Sequence, residues 1–344
     1  MKNIKIKYLL PFIMAFMVLA VFSSCSNDEA SSSGGGPVIT SVSKSVEGPL
    51  VPVTVGDPKN YYVIQGTGLS TVTKIYFNDF DTYFNPTLVT DTAIFVLIDE
   101  KTPYANSSNK LKLVTKQGTV LYDFVVAPPT PKFNSYNSIN AAAGDVVTVY
   151  GDYFLNPTVK VGTIDVPVIS STLTEIKFKM PANATDKYVT VTNISGSTTS
   201  EEAVGSALYD DVLQGDAGHW MWSGGDTFDT NFKDDKVQGE AAIKFVFGGW
   251  NGADMKFNSR DVSKYKAFRV KVKSVSTNTA ASVIFVFGGW AYQIKKTITS
   301  QWTTIEIPFS DIGNPTTFDQ LTLQESGNFG GNTILMDDMG FVLK

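Results

Sequence analysis

The sequence predicts an all-β protein built from three small modules behind an export leader. Three observations carry this reading. Valine, isoleucine, threonine, tyrosine and phenylalanine recur in short runs; the 28 glycines and 15 prolines punctuate them; and no apolar stripe of helical period follows the first 22 positions. The roughly 308 residues after position 36 exceed one typical domain and suffice for two or three separate cores. A formal charge of −5, with no basic stripe, excludes nucleic acid as a partner class.

The leader comes first. Lys2, Lys5 and Lys7 precede an apolar stretch over 8–22 that Pro11 interrupts. The stretch is shorter than the ~20 residues that span a bilayer, so 1–24 is read as a secretory signal and not as a transmembrane anchor. Cys25 is the only cysteine and therefore has no disulfide partner within the chain. The segment Val21-Phe22-Ser23-Ser24-Cys25 resembles a bacterial lipobox, departing from it at Phe22, where leucine is commoner. That resemblance makes Cys25 the lipidated N-terminus, carrying acyl chains such as palmitate; the alternative is an ordinary signal-peptide cysteine. Residues 25–36, rich in serine and glycine, form a flexible tether. Asp28 and Glu29 resemble the signal that sends Bacteroidetes lipoproteins to the outer face of the outer membrane.

The first module, 37–127, shows strand candidates at 37–41, 61–66, 74–77, 93–98 and 110–115, at the spacing of a sandwich. Pro128, Pro129 and Pro131 then stiffen a junction. The second module, 128–206, restates the first, with candidates at 131–135, 144–154, 159–162, 176–181 and 188–193. Its run Gly144 to Phe154 and its closing Val189-Thr190-Val191-Thr192 resemble the immunoglobulin-like IPT/TIG domain. The first copy departs from that pattern by an insertion around 51–60 and by Leu69 in place of phenylalanine. Lacking tryptophan, histidine or a metal-like cluster, these two modules are read as spacers, the alternative being that they bind something themselves.

The third module, 207–344, holds all five tryptophans: Trp220, Trp222, Trp250, Trp290 and Trp302. Strand candidates at 242–247, 267–273, 282–287, 292–295, 303–309 and 334–342 suit a two-sheet jelly roll of about eight strands. In 267–273, Phe268, Val270 and Val272 alternate with Arg269, Lys271 and Lys273, which predicts a sheet with one face in solvent. Trp302 opens an alternating strand and is expected in the core. The hexapeptide Phe-Val-Phe-Gly-Gly-Trp occurs at 245–250 and again at 285–290, which predicts equivalent places on two strands of one sheet.

A tryptophan directly after two glycines is expected at an exposed strand edge, since a core strand rarely sets two flexible residues before its largest one. Trp250 and Trp290 therefore lead the candidate site. Tyr292 is expected on the face of Trp290, and Trp220 and Trp222 either join the site or bury near the first strand. Asn251, Gln293, Lys295 and Arg260 are the candidate hydrogen-bonding groups beside the rings. Leu208-Tyr209-Asp210-Asp211 and Ile334 to Met339, with Asp337 and Asp338, resemble the first and last strands of carbohydrate-binding jelly rolls. In those an acidic residue can hold a structural calcium; plain hydrogen-bonded aspartates are the alternative. No other cofactor is expected.

The order of lipobox, acidic tether, two IPT/TIG-like sandwiches and a tryptophan-bearing end is similar to that of the surface glycan-binding lipoproteins of Bacteroidetes polysaccharide-utilisation loci. The resemblance implies noncatalytic capture of a polysaccharide, such as the β-glucans xyloglucan or mixed-linkage glucan, beside the uptake machinery of the outer membrane. Two other classes stay open: an adhesin or structural protein that binds another protein, and a glycoside hydrolase. The last would need two carboxylates across a cleft, and the module offers only Glu240, Glu306 and Glu325 besides its aspartates.

Overall fold

A computed structural model describes residues 35–223, 227–275, 280–326 and 331–344. The leader and Cys25 lie outside the described residues. The described chain is almost entirely β, and its contacts divide it into two compact units.

One unit comprises 35–53, 61–97 and 110–123. One of its sheets runs Val38–Lys44, Tyr61–Thr67, Ala93–Leu97, Phe84–Val89, and the other Phe80–Thr82, Val72–Phe77, Lys110–Thr115, Gly118–Asp123. Alternate residues (Tyr62, Ile64, Ile75, Phe77, Ile94, Val96, Leu111, Leu113) fill the space between the sheets, as the two-residue period of a strand requires.

The second unit contains the rest of the described chain, including all residues from Phe124 onward. Within it, Lys132–Tyr136, Val146–Asp152, Glu175–Lys179, Val168–Ser171 form one sheet and Ile164–Val166, Thr158–Val161, Tyr188–Asn193, Gly196–Ala203 the other. This repeats the architecture of the first unit down to one irregularity. Pairing slips between Phe133 and Ser135 beside Gly151, as it does between Ile39 and Ser41 beside Gly66. A Cβ on either glycine would stand 1.9 Å from a facing carbonyl oxygen, Lys132 O and Val38 O respectively, so only glycine fits the bulge. Downstream, Leu69 and Phe154 both lie sealed in their cores, so leucine takes the expected phenylalanine's place.

The last module is a two-layer sandwich. Its seven-stranded sheet is organised on Asn332–Leu343, which pairs along one side with Tyr265–Ser274 and along the other with Ala242–Phe247 and then Ala207–Asp210. Val212–Leu213, Thr227–Phe232 and Thr303–Pro308 complete it. The opposing sheet runs Asp216–Met221, Gly252–Asp261, Thr317–Glu325, Ala280–Phe287, Tyr292–Thr299. The module thus has twelve strands among its described residues where about eight were expected. The additional ones include Asp216–Met221, Gly252–Asp261 and Thr317–Glu325, which build most of one sheet. Phe245, Phe268, Met336, Met255, Phe285 and Leu321 meet in the shared core.

The strand Tyr265–Ser274 corrects one expectation. Phe268, Val270 and Val272 are buried, but so are Arg269 (5% exposed) and Lys271 (8%), which do not face solvent. The second sandwich covers them: Glu202 accepts from Arg269 Nη2 and lies 3.3 Å from Lys271 Nζ, while Lys271 also donates to Asp338 at 2.9 Å. Buried charges are tolerated when they are paired and hydrogen-bonded in this way. Nearby, Lys264 donates to Asp186, and Arg260 donates to the carbonyls of Gly205 (2.6 Å) and Ala207 (3.0 Å). Asp210 accepts from Asn140 N, Ser138 Oγ and Gln238 Nε2.

Burial raises the carboxyl of Asp210, and burial together with the neighbouring Asp338 pushes Asp337 up to about 8. Burial alone would lower Lys271, but Asp338 and Glu202 outweigh it and hold its ammonium above the usual range. The aspartates that the resemblance links to calcium are therefore engaged by amides, hydroxyls, an ammonium and backbone N–H groups. Among the described residues no three acidic, histidine or cysteine side chains are grouped to hold a metal ion.

Candidate functional site

Strand alternation dictates the site. On the five-stranded sheet, Ala253, Met255, Phe257, Leu321, Leu323, Val283 and Phe285 point into the core, so the residues between them form the outer face. Pairing aligns Trp220, Asp254, Thr322, Val286 and Gln293 in one row across all five strands. The next row holds Gly252, Gln324, Ile284 and Lys295, with Trp222 N donating to Gly252 O at 2.9 Å. At about 4.8 Å between strands, a row spans roughly 19 Å.

Four exposed indoles stand around this face: Trp220 is 42% exposed, Trp222 40%, Trp250 50% and Trp290 42%. Trp222 follows one edge strand, and Trp290 lies in the turn before the other; their rings nevertheless meet, with centroids 5.7 Å apart at 40°. The Trp222 indole Nε1 donates to Asp254 Oδ2 at 3.0 Å, and the other oxygen, Oδ1, accepts from Gln320 Nε2 at 3.0 Å and from the Thr322 hydroxyl. Lys256 Nζ stands 5.3 Å from the Trp220 ring, within cation–π range.

Both hexapeptides turn at the same place and close on the same hydrogen bond, but by different backbones: Gly288 and Gly289 are left-handed, at φ 60° and 61°, and Gly248 and Gly249 are not. The strand ends at Phe247 or Phe287, and the residue after the tryptophan donates back to the first glycine: Asn251 N to Gly248 O (3.1 Å), Ala291 N to Gly288 O (3.3 Å). The tryptophan takes the left-handed region, at φ 62° for Trp250 and 79° for Trp290, which is uncommon for so bulky a residue. Trp250 is held there by Glu325, whose buried Oε2 accepts its N–H at 2.7 Å. The two turns belong to different sheets, Ala242–Phe247 in the seven-stranded and Ala280–Phe287 in the five-stranded one, so the expectation of one shared sheet is corrected. Trp290 and Tyr292 likewise do not share a strand face: Trp290 is in the turn, and Tyr292, which opens the following strand and pairs with the core residue Phe287, takes the core side of the sheet against Gly313, opposite Gln293 and Lys295, so it is not part of the outer face.

The remaining candidates divide. Gln293 and Lys295 are exposed on the outer face, and Asn251 is in the Trp250 turn, its Oδ1 accepting from Gly252 N. Arg260 is not at the face. The pairing slips between Lys256 and Arg260, and its guanidinium is committed to the Gly205 and Ala207 carbonyls and to Tyr265 at the contact with the second sandwich. Trp302 is half-buried, not core, and its Nε1 donates to Asp235 at 3.0 Å. Sequence reasoning missed Asp254, Gln320, Thr322 and Gln324; the alternation of Ala253, Met255, Leu321 and Leu323 is the signal that would have placed them on one face.

Residues 131–204 match the IPT/TIG domain, and residues 208–344 match the expansin-like protein C-terminal domain. No curated protein matches at the sequence level. Among solved structures, the chain is similar to surface glycan-binding protein PbSGBP-B from Prevotella bryantii, at 18% identity and TM-score 0.52, covering 90% of this chain and 99% of that one. It also aligns with SGBP-B from a complex xyloglucan utilization locus in Bacteroides uniformis, at 15% identity and TM-score 0.40, covering 90% and 100%. A third alignment is with a family 11 carbohydrate-binding module from Clostridium thermocellum in complex with a β-1,3-1,4-mixed-linked tetrasaccharide, at 16% identity and TM-score 0.27, covering 36% and 87%. In fold, this chain is a tandem of immunoglobulin-like sandwiches ending in a β-sandwich module, an arrangement similar to that of the Prevotella bryantii structure.

Proposed function

We propose that the chain captures a polysaccharide at the outer face of the five-stranded sheet without cleaving it. The observation that carries this reading is the set of exposed indoles around one polar sheet face, two of them in contact from opposite edges. Flat apolar rings beside amides and hydroxyls suit a sugar, which offers an apolar face rimmed by hydroxyls. Each stacked ring contributes about 0.5–1.5 kcal/mol beyond the area it buries, which with a few hydrogen bonds reaches millimolar to micromolar affinity.

The carboxylates support capture over hydrolysis, which needs an acid and a second carboxylate flanking the scissile bond. Asp254 is the carboxylate of the central row and is occupied by three donors. Glu325 is buried under the Trp250 turn, and Glu306 lies on Thr303–Pro308 of the other sheet. Lipidation at Cys25 would hold the chain on the outer membrane, next to the uptake machinery that the resemblance implies, and β-glucans are the polymers to try first.

Affinity gel electrophoresis of the full chain through xyloglucan or mixed-linkage β-glucan tests this. Wild type is retarded, and Trp290→Ala and Trp250→Ala each weaken the retardation. Equal mobility of both variants and wild type on every glycan that retards wild type would dismiss the platform. A blank result on all glycans, with a protein partner recovered instead, would favour the adhesin reading.

A further inference from the structure

The contact between Trp222 and Trp290 needs an explanation, because the two residues belong to opposite edges of a five-stranded sheet. Two features bring Trp222 inward. Gly252 leaves room for it: a Cβ there would stand 2.8 Å from the indole. Asp254, one strand in from the edge, then takes the indole N–H. That carboxylate is itself fixed by Gln320 and Thr322 on the central strand Thr317–Glu325, so the ring is tied through one acceptor to the middle of the sheet.

The floor beneath is closed. Thr322 and Val286 stand on the outer face by register and are outside the core, yet each is only 2% exposed.

We propose that Asp254 is the positioning residue of the site: by fixing the Trp222 indole against Trp290, it makes one composite platform, and the polymer lies on this pair, not on the sheet floor. This rests on the glycan-binding reading above and adds to it which carboxylate sets the geometry and where the ligand sits. Asp254 itself need not touch the sugar.

The test uses the full chain and two readouts. Closely spaced indoles couple and give a split band in far-ultraviolet circular dichroism, which reports the ring pair without any ligand; Trp290→Phe identifies the band by abolishing it. Asp254→Ala should lose the split band and bind soluble xyloglucan or mixed-linkage β-glucan roughly tenfold more weakly, the worth of a hydrogen bond to a charged group. Asp254→Asn, which keeps an acceptor oxygen for the indole, should retain most of both signals, and it carries the test if the alanine variant fails to fold. An Asp254→Ala protein that keeps the split band, or loses it and still binds as wild type does, overturns the proposal. If wild type binds neither glucan, the glycan reading fails, and the split band alone decides whether Asp254 positions the pair.

Discussion

Replacing Glu202 by glutamine perturbs one module and should be felt in another. Glu202 belongs to the strand Gly196–Ala203 of the second sandwich, and its carboxylate pairs with Arg269 and Lys271 of the last module, all three at least nine-tenths buried. Removing one partner of a buried pair costs about 3–5 kcal/mol, because a desolvated charge is left behind. Here the lower end applies: Lys271 keeps Asp338 at 2.9 Å, and Arg269 keeps Glu201 at 3.4 Å. For a unit of roughly 200 residues, 1 kcal/mol shifts the melting midpoint by about 2–4 °C, so a loss of ~3 kcal/mol lowers it by roughly 6–12 °C.

The assay follows from the tryptophans, all of which lie between 220 and 302. Intrinsic tryptophan fluorescence therefore reports only the last module, whereas the substitution is in its neighbour. The tryptophan transition of Glu202→Gln should fall with that magnitude. If it stays at the wild-type temperature, the two modules are not coupled through this network and the reasoning fails.

Two further outcomes follow from named contacts. Gly252→Ala sets a Cβ 2.8 Å from both the Leu323 carbonyl and the Trp222 ring, so it should destabilise by about 1–3 kcal/mol and move Trp222 off Trp290, which denaturant unfolding and circular dichroism would check. Asp337, pushed up to about 8 when folded, is ordinarily near 3.9 when unfolded, so between those values the folded state holds more protons. Its contribution is therefore fully present below about pH 4 and is lost as pH rises through about 8. Asp337→Asn should flatten that fall in a series of melts across the range.

Much of the fold was legible from local chemistry. The two sandwiches share a glycine bulge and a large apolar residue just downstream, and both features are visible in the chain as Gly66 with Leu69 and Gly151 with Phe154. The exposure of Trp250 and Trp290 was also legible, because a double glycine ends a strand and starts a turn. What alternation does not reveal is the medium opposite each face. Arg269 and Lys271 have the spacing of solvated residues, but what meets them is a second module bearing Glu202. The same limit misplaced Arg260, which the pairing slip after Lys256 carries to the carbonyls of Gly205 and Ala207. The meeting of Trp222 and Trp290 depends on strand order, since residues 68 apart in sequence come together only once Gly252–Asp261, Thr317–Glu325 and Ala280–Phe287 are laid side by side.

The most direct measurement of the central claim is residue-resolved tryptophan oxidation by N-bromosuccinimide, with and without saturating soluble xyloglucan or mixed-linkage β-glucan, read by peptide mapping. A polysaccharide lying on the ring pair should shield Trp222 and Trp290 while leaving Trp302, which is bound to Asp235 away from the face, oxidised at an unchanged rate. Identical oxidation of Trp222 and Trp290 with and without a glycan that retards the protein would contradict the account.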